Sequence, residues 1–190
     1  MLFRSALAAN ENGGRFHIFT APIESDPGRG TPGVHLGKPE LFLGTPFGEG
    51  SPAFSPDGRW LAYNSNDSGT GEVYVRPFPG PGGKWQISMG GGSSPLWSRD
   101  GRELIFETLD GRVMAASYSV KGDSFAAGKP RVWSERLLYA GGAPVYDLAP
   151  DGKRLAAVLA SDQAGVEPTH LTFLLNFFDE LRRRAPAGGK

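Results

Sequence analysis

The sequence predicts an all-β chain built from repeated four-stranded antiparallel units, and three observations lead there. The first is a recurring phrase: "FSPDGRWLAYNSND" covers residues 54–67, "WSRDGRELIFETLDG" begins at Trp97 and "LAPDGKRLAAVLASD" begins at Leu148. Its Asp-Gly pairs, Asp57–Gly58, Asp100–Gly101 and Asp151–Gly152, are separated by 43 and then 51 residues, a period that signals propeller blades or helical arrays. The second is that the apolar blocks are short and fenced by Gly, Pro, Asn and Asp, which selects strands over helices. The third is that 28 glycines and 16 prolines accompany a hydrophobic content of 39%, a balance of many turns with enough apolar surface to fold. The expected architecture is a partial β-propeller of about three and a half blades, ending in a short C-terminal helix.

Taken in order, "MLFRS" (1–5), "RFHIFTAPI" (15–23) and "ELFLGT" (40–45) read as second, third and fourth strands of a leading blade at about 1–46, whose first strand and Asp-Gly turn are missing. The next blade, 51–89, has "PAFS" (52–55), "WLAYNS" (60–65), "EVYVRPF" (72–78) and "WQISM" (85–89). A third, 93–134, repeats the order with "PLWS" (95–98), "ELIFET" (103–108), "RVMAASYS" (112–119) and "RVWS" (131–134). The last, 144–176, offers "PVYDLA" (144–149), "RLAAVLA" (154–160) and "HLTFLL" (170–175), with no fourth strand. The second strands are apolar at adjacent positions, as in a sheet covered on both faces by neighbouring blades. Leu174, Phe177, Phe178 and Leu181 then recur at helical spacing, with Asn176 as N-cap, acids early and Arg182, Arg183 and Arg184 late, so a closing helix is expected over 177–184. A disordered tail is expected at 185–190.

Composition narrows function by exclusion. Twenty basic and twenty acidic residues cancel, giving no global electrostatic reason to expect nucleic acid or an anionic membrane as partner. There is no cysteine, which removes disulfides, thiolate metal sites and cysteine nucleophiles. No apolar run approaches the roughly 18 residues of a spanning helix, and "MLFRSALAANENGG" is broken too early by Arg4 and Ser5 to serve as a signal peptide.

With these residues in view, the stretch "FSPDGRWLAYNSNDSGTGEVYVRPFPGPGGKWQISMGGGSSPLWSRDGRELIF" resembles the TolB-like, WD40-like β-propeller repeats, and most of all the C-terminal propeller of bacterial eukaryotic-like serine/threonine protein kinases. The ending "HLTFLLNFFDELRRRAP" is similar to theirs. The resemblance covers Met1 to about Pro186 and implies a non-catalytic scaffold in the extracytoplasmic part of a larger signalling protein. Such propellers close with more blades than this chain holds. The chain carries no G-x-G-x-x-G with a V-A-I-K strand, no H-R-D, no D-F-G and no G-x-S-x-G elbow, so neither kinase nor prolyl-oligopeptidase activity carries over.

The Asp-Gly pairs are read as structural turns rather than catalytic carboxylates. Paired-carboxylate chemistry needs groups about 5 to 9.5 Å apart, and equivalent turns on different blades are expected to be distant. "NSNDSGTGE" (64–72) fails the calcium-loop register, with Val75 where glutamate is required, and "GGGSS" (90–94) lacks the Lys-Ser/Thr of a phosphate loop. His17, His35 and His170 read as isolated, and Trp60, Trp85, Trp97 and Trp133 as blade-packing residues. The expectation is therefore a recognition module without cofactor or metal, binding a protein, peptide or small ligand on its propeller face. The alternatives are a propeller associated with a prolyl-oligopeptidase-like or lactonase-like hydrolase, and a truncated reading frame. Unpaired strand edges lead us to expect packing on missing blades or self-association, with the missing pieces upstream of Met1.

Overall fold

The computed structural model describes residues 4–10, 15–26, 33–135, 138, 146–149 and 154–158. The chain divides into two compact units, Met1–Ala160 and Ser161–Lys190, and every described residue belongs to the first. The expected strand at 170–175, the helix at 177–184, the tail and the Asp151–Gly152 turn lie outside the described residues.

The described residues form an all-β partial propeller. The leading sheet contains β1 (Arg4–Asn10), β2 (Phe16–Asp26), β3 (Gly33–Leu36) and β4 (Glu40–Leu43), with β2 pairing all three others. In the second sheet β5 (Glu49–Phe54), β6 (Trp60–Ser65), β7 (Glu72–Pro77) and β8 (Trp85–Gln86) run in order as an antiparallel meander. The third holds β9 (Ser93–Trp97), β10 (Glu103–Glu107), β11 (Val113–Lys121), β12 (Ser124–Ala127) and β13 (Arg131–Ser134). Finally β14 (Tyr146–Leu148) and β15 (Leu155–Ala157) make a two-stranded hairpin.

Adjacent sheets stack face to face, and period-2 alternation sends successive residues of each strand to opposite neighbours. On β6 and β7, Trp60, Ala62, Val73 and Val75 join Trp97, Leu104, Phe106 and Ala116 of the third sheet in one core. Leu61, Tyr63 and Tyr74 face the other way, onto Ile18 and Leu43 of the leading sheet. Beyond the third sheet, Ile105, Val113 and Ala115 pack on Tyr146 and Leu148. Each fully buried side chain of this kind stabilises by roughly 1.5–3 kcal/mol, which explains the doubly apolar second strands.

Several strands differ from the sequence expectation. The leading strand, Arg4–Asn10, runs past the expected end at residue 5, and residues 1–3 of the expected strand lie outside the described residues. The expected strand at 85–89 shrinks to Trp85–Gln86: Ile87 N still donates to Val73 O (2.8 Å), but Val73 N donates to Ser88 Oγ (2.8 Å), so a side chain takes over the ladder. Two strands appear where a simple connection was expected. β2 and β11 each overrun their blade and fold back on an extra strand, Ile23–Asp26 on β3 and Tyr118–Lys121 on β12. The second sheet has instead the loop 78–84, in which Phe78–Pro79 and Gly80–Pro81 are cis.

Both inner strands, β5 and β9, contain a bulge, and Ser51 (φ 46°) and Ser94 (φ 50°) sit there in the left-handed region. Each precedes a proline, Pro52 or Pro95. A non-glycine residue held there is a locally strained backbone. Tyr146 Oη donates to the carbonyl of Ser94, tying β14 to the second of these bulges.

Candidate functional site

The recurring Asp-Gly turns are built from a six-residue cassette. In the first, Ser55 Oγ donates to Asp57 Oδ1 (2.6 Å) and accepts from Trp60 N (3.0 Å), while Arg59 N donates to the same carboxylate oxygen (3.1 Å). Gly58 N donates to Ser55 O (2.9 Å), and Gly58 adopts φ 69°, a conformation that favours glycine. The second repeats every one of these bonds: Ser98 Oγ to Asp100 Oδ1 (2.7 Å), Glu103 N to Ser98 Oγ (2.8 Å), Arg102 N to Asp100 Oδ1 (3.2 Å) and Gly101 N to Ser98 O (3.0 Å). The Ser98 hydroxyl holds the Asp100 carboxyl below the usual carboxylate range. In the third, Ala149 N donates to Arg154 O (2.8 Å), matching Ser55 N to Trp60 O and Ser98 N to Glu103 O (both 2.9 Å), but alanine supplies no hydroxyl.

A version one residue shorter escaped the period-based reading. "TLDGR" (108–112) places Thr108 Oγ1 on Asp110 Oδ1 (2.5 Å), Arg112 N on Thr108 Oγ1 (3.1 Å) and Gly111 N on Thr108 O (2.9 Å). It joins β10 to β11, on the rim opposite the other turns. The letters were readable; the turn does not recur at the blade spacing, so a search for equivalent positions passes over it.

Asp57 and Asp100, expected to be distant, are brought to one rim. Both border one open depression of about 450 Å³ between the second and third sheets, with Pro56, Arg99, Tyr118 and Val120. Both turns join the first strand of a sheet to its second, and the second and third sheets stack face to face, so these equivalent turns lie side by side on one rim. Tyr118, on the overrun of β11, is pushed up to about 12 by burial, with added contributions from the Asp57 and Asp100 charges. Its phenol therefore stays protonated between two carboxylates.

The extra β11–β12 hairpin holds this groove in place. Phe125 of β12 is buried against Trp60 (5.2 Å between centroids) and stacked on Tyr118 (5.2 Å, 16°), with Trp85 and Trp97 completing the cluster. At its tip, Gly122 O accepts from Arg59 Nη2 (3.0 Å). Three of the four tryptophans thus serve blade packing together, and Trp133 lies against the core beyond the third sheet.

Two histidines are not isolated. His17 Nδ1 lies 3.0 Å from Oε2 of Glu49, which is 1% exposed and also accepts from Thr45 Oγ1. His35 Nε2 lies 3.2 Å from the exposed Glu24. Glu49 is distant in sequence from His17 and meets it only when the leading and second sheets stack. The "GGGSS" segment holds no phosphate-like cradle: Gly90 N (2.8 Å) and Gly91 N (2.9 Å) donate to the buried Glu72, which also accepts from Ser88 Oγ. Among the described residues no cluster of three His, Cys, Asp or Glu side chains is placed to hold a metal ion, and no helix is long and apolar enough to cross a membrane.

No protein-family model matches the chain, and no curated protein matches it. Among solved structures it is similar to a putative TolB from Agrobacterium tumefaciens, at 14% identity and TM-score 0.39, over 68% of this chain and 62% of that one. It is also similar to TolB from Acinetobacter baumannii, at 17% identity and TM-score 0.41, over 84% of this chain and 41% of that one. The chain spans less than two thirds of the length of either TolB structure.

Proposed function

We propose that the chain is a non-catalytic recognition module that binds a polypeptide partner on the rim bearing its Asp-Gly turns. The groove between the second and third sheets supports this reading. Asp57 and Asp100 are fixed there by their own turns beside the protonated Tyr118, so little ordering is needed on binding, and the partner segment that suits them carries Lys or Arg.

Fluorescence anisotropy with labelled basic, acidic and apolar peptides tests it. Basic peptides are expected to bind the 190-residue chain and to lose at least tenfold in an Asp57→Asn/Asp100→Asn variant. Equal binding of acidic peptides, or indifference to the double substitution, would overturn the groove as the site. Turnover on an ester or lactone panel would overturn the non-catalytic reading.

The resemblance to kinase-associated propellers supports placing the module in the extracytoplasmic part of a larger bacterial signalling protein. The expected genomic finding is an in-frame upstream continuation encoding further blades, a membrane span and a kinase; an in-frame stop directly upstream sinks that placement. Among the described residues β1 pairs only with β2, whereas β6 and β10 each have an inner partner strand. That edge supports packing on further blades or self-association. Light scattering on the isolated chain is expected to show more than a monomer, and a stable, cooperatively melting monomer counts against it.

A further inference from the structure

A second cavity, of about 330 Å³, opens on the same rim between the leading and second sheets. Its walls are Phe42 of β4, Pro77 at the end of β7, and the Pro79–Gly82 loop, with Arg76 among them. Gly80 and Gly82 bring bare backbone to the wall; a Cβ on Gly82 would stand 2.2 Å from Pro77 Cγ, so the loop closes on the proline only because that residue is glycine.

Arg76 is half-buried, and its Nε donates to Tyr63 Oη (3.1 Å). Burial pushes the Tyr63 phenol up to about 12, so this partner is neutral. None of the ion pairs among the described residues includes Arg76. The two acids whose charge is felt around it are already engaged: Asp67 by Lys84, and Glu49 by His17 and Thr45. A guanidinium partly withdrawn from water, hydrogen-bonded to a neutral phenol and acting on Asp67 only at a distance, favours an incoming anion. One cation within apolar walls, with Asp67 nearby, suits a single negative charge better than a phosphate dianion.

We propose that this cavity binds a monocarboxylate with an apolar, flat body: the carboxylate on Arg76 and the body against Phe42 and the proline rings. Its volume, at the small end of the ~300–1,000 Å³ range of ligand pockets, fits an aryl carboxylic acid or the last residue of a peptide with a free C-terminus. The site is independent of the Asp57–Asp100 groove.

Amide NMR titration of the 190-residue chain tests this with phenylacetate, phenylacetamide, inorganic phosphate, N-acetyl-Gly-Phe and its C-terminal amide. Phenylacetate is expected to give saturable shifts at Phe42, Arg76, Gly80 and Gly82, with phenylacetamide at least tenfold weaker. Arg76→Gln is expected to lose at least tenfold, and Phe42→Ala several-fold while leaving the Arg76–Tyr63 bond in place, so the proposal stays testable if the arginine variant misfolds. Tighter binding of N-acetyl-Gly-Phe than of phenylacetate identifies a peptide terminus as the source, and the reverse a free small acid. Equal binding of phenylacetate and phenylacetamide, displacement by phosphate, or Phe42→Ala binding as well as wild type would overturn the proposal. Asp57→Asn/Asp100→Asn is expected to leave phenylacetate binding unchanged, so failure here and failure of the rim groove are read separately.

Discussion

The seam between the leading and second sheets and the seam between the second and third are built to one plan and finished with different chemistry. In each, an aromatic residue of the inner strand meets one from the connection that follows the third strand. Phe54 lies 4.8 Å from Phe78, and Trp97 lies 6.1 Å from Phe125. In the second sheet that connection is a Pro-Gly loop leaving Arg76 beside a cavity; in the third it is a hairpin that completes an aromatic cluster and brings Tyr118 between two carboxylates. The inner framework is held constant while the outer connection sets the charge of the groove, which is where loop variation is expected to carry function.

The comparison breaks most sharply at the two connecting phenylalanines. Phe125→Ala should cost about 3–5 kcal/mol and the half-buried Phe78→Ala about 2 kcal/mol, measured by urea denaturation; equal costs would mean that the hairpin adds nothing to its seam. Next come the cassette hydroxyls. Ser55→Ala and Ser98→Ala each remove bonds to a carboxylate and a backbone N–H at a buried position and should each cost about 1–2 kcal/mol. Because Asp100 is held low in the folded chain, its contribution is present above the ordinary carboxylate range and is lost as pH falls through the depressed value. The Ser98→Ala deficit should therefore shrink in acid, and a pH-independent deficit would disconnect the hydroxyl from the carboxylate.

Smaller effects separate the far side of the third sheet from its groove side. Burial raises the Glu107 carboxyl, so Glu107 destabilises at neutral pH and the penalty is relieved as pH falls through its raised value. Glu107→Gln should give a small stabilisation at pH 7 that disappears below the ordinary carboxylate range, read from melting curves across pH. The raised phenols act in the opposite pH region: with Tyr63 and Tyr118 at about 12 in the folded chain, stability falls as pH rises from the ordinary value of about 10. Tyr118→Phe should change neutral stability by less than about 0.5 kcal/mol and flatten that alkaline decline. An unchanged decline would remove Tyr118 from the seam's electrostatics.

Strand order from β4 to β13 was largely legible because alternation and turn residues are local signals. The β12 strand was passed over although "SYSVKGDSFAAG" has a hairpin's form, with Gly122 at φ 61° in the turn; its apolar content is too low to stand out until Phe125 is seen buried. The groove was not legible, since side-by-side placement of Asp57 and Asp100 follows from sheet stacking and not from the spacing of 43. His17–Glu49 has the same cause. Arg76 gives no signal in the sequence at all, because its hydrogen bond to Tyr63 and the pairing of Asp67 with Lys84 are properties of the assembled neighbourhood.

The turn at Thr108–Arg112 is one residue shorter and joins a different pair of strands on the other rim, yet keeps the hydroxyl-to-carboxylate bond and the glycine N–H to carbonyl bond. Its conformation is therefore encoded within five residues and owes little to its surroundings. Such a segment is transplantable: moved between hairpins by recombination or by design, it carries its own geometry with it, and the rim on which it lands acquires a fixed carboxylate at no cost to register.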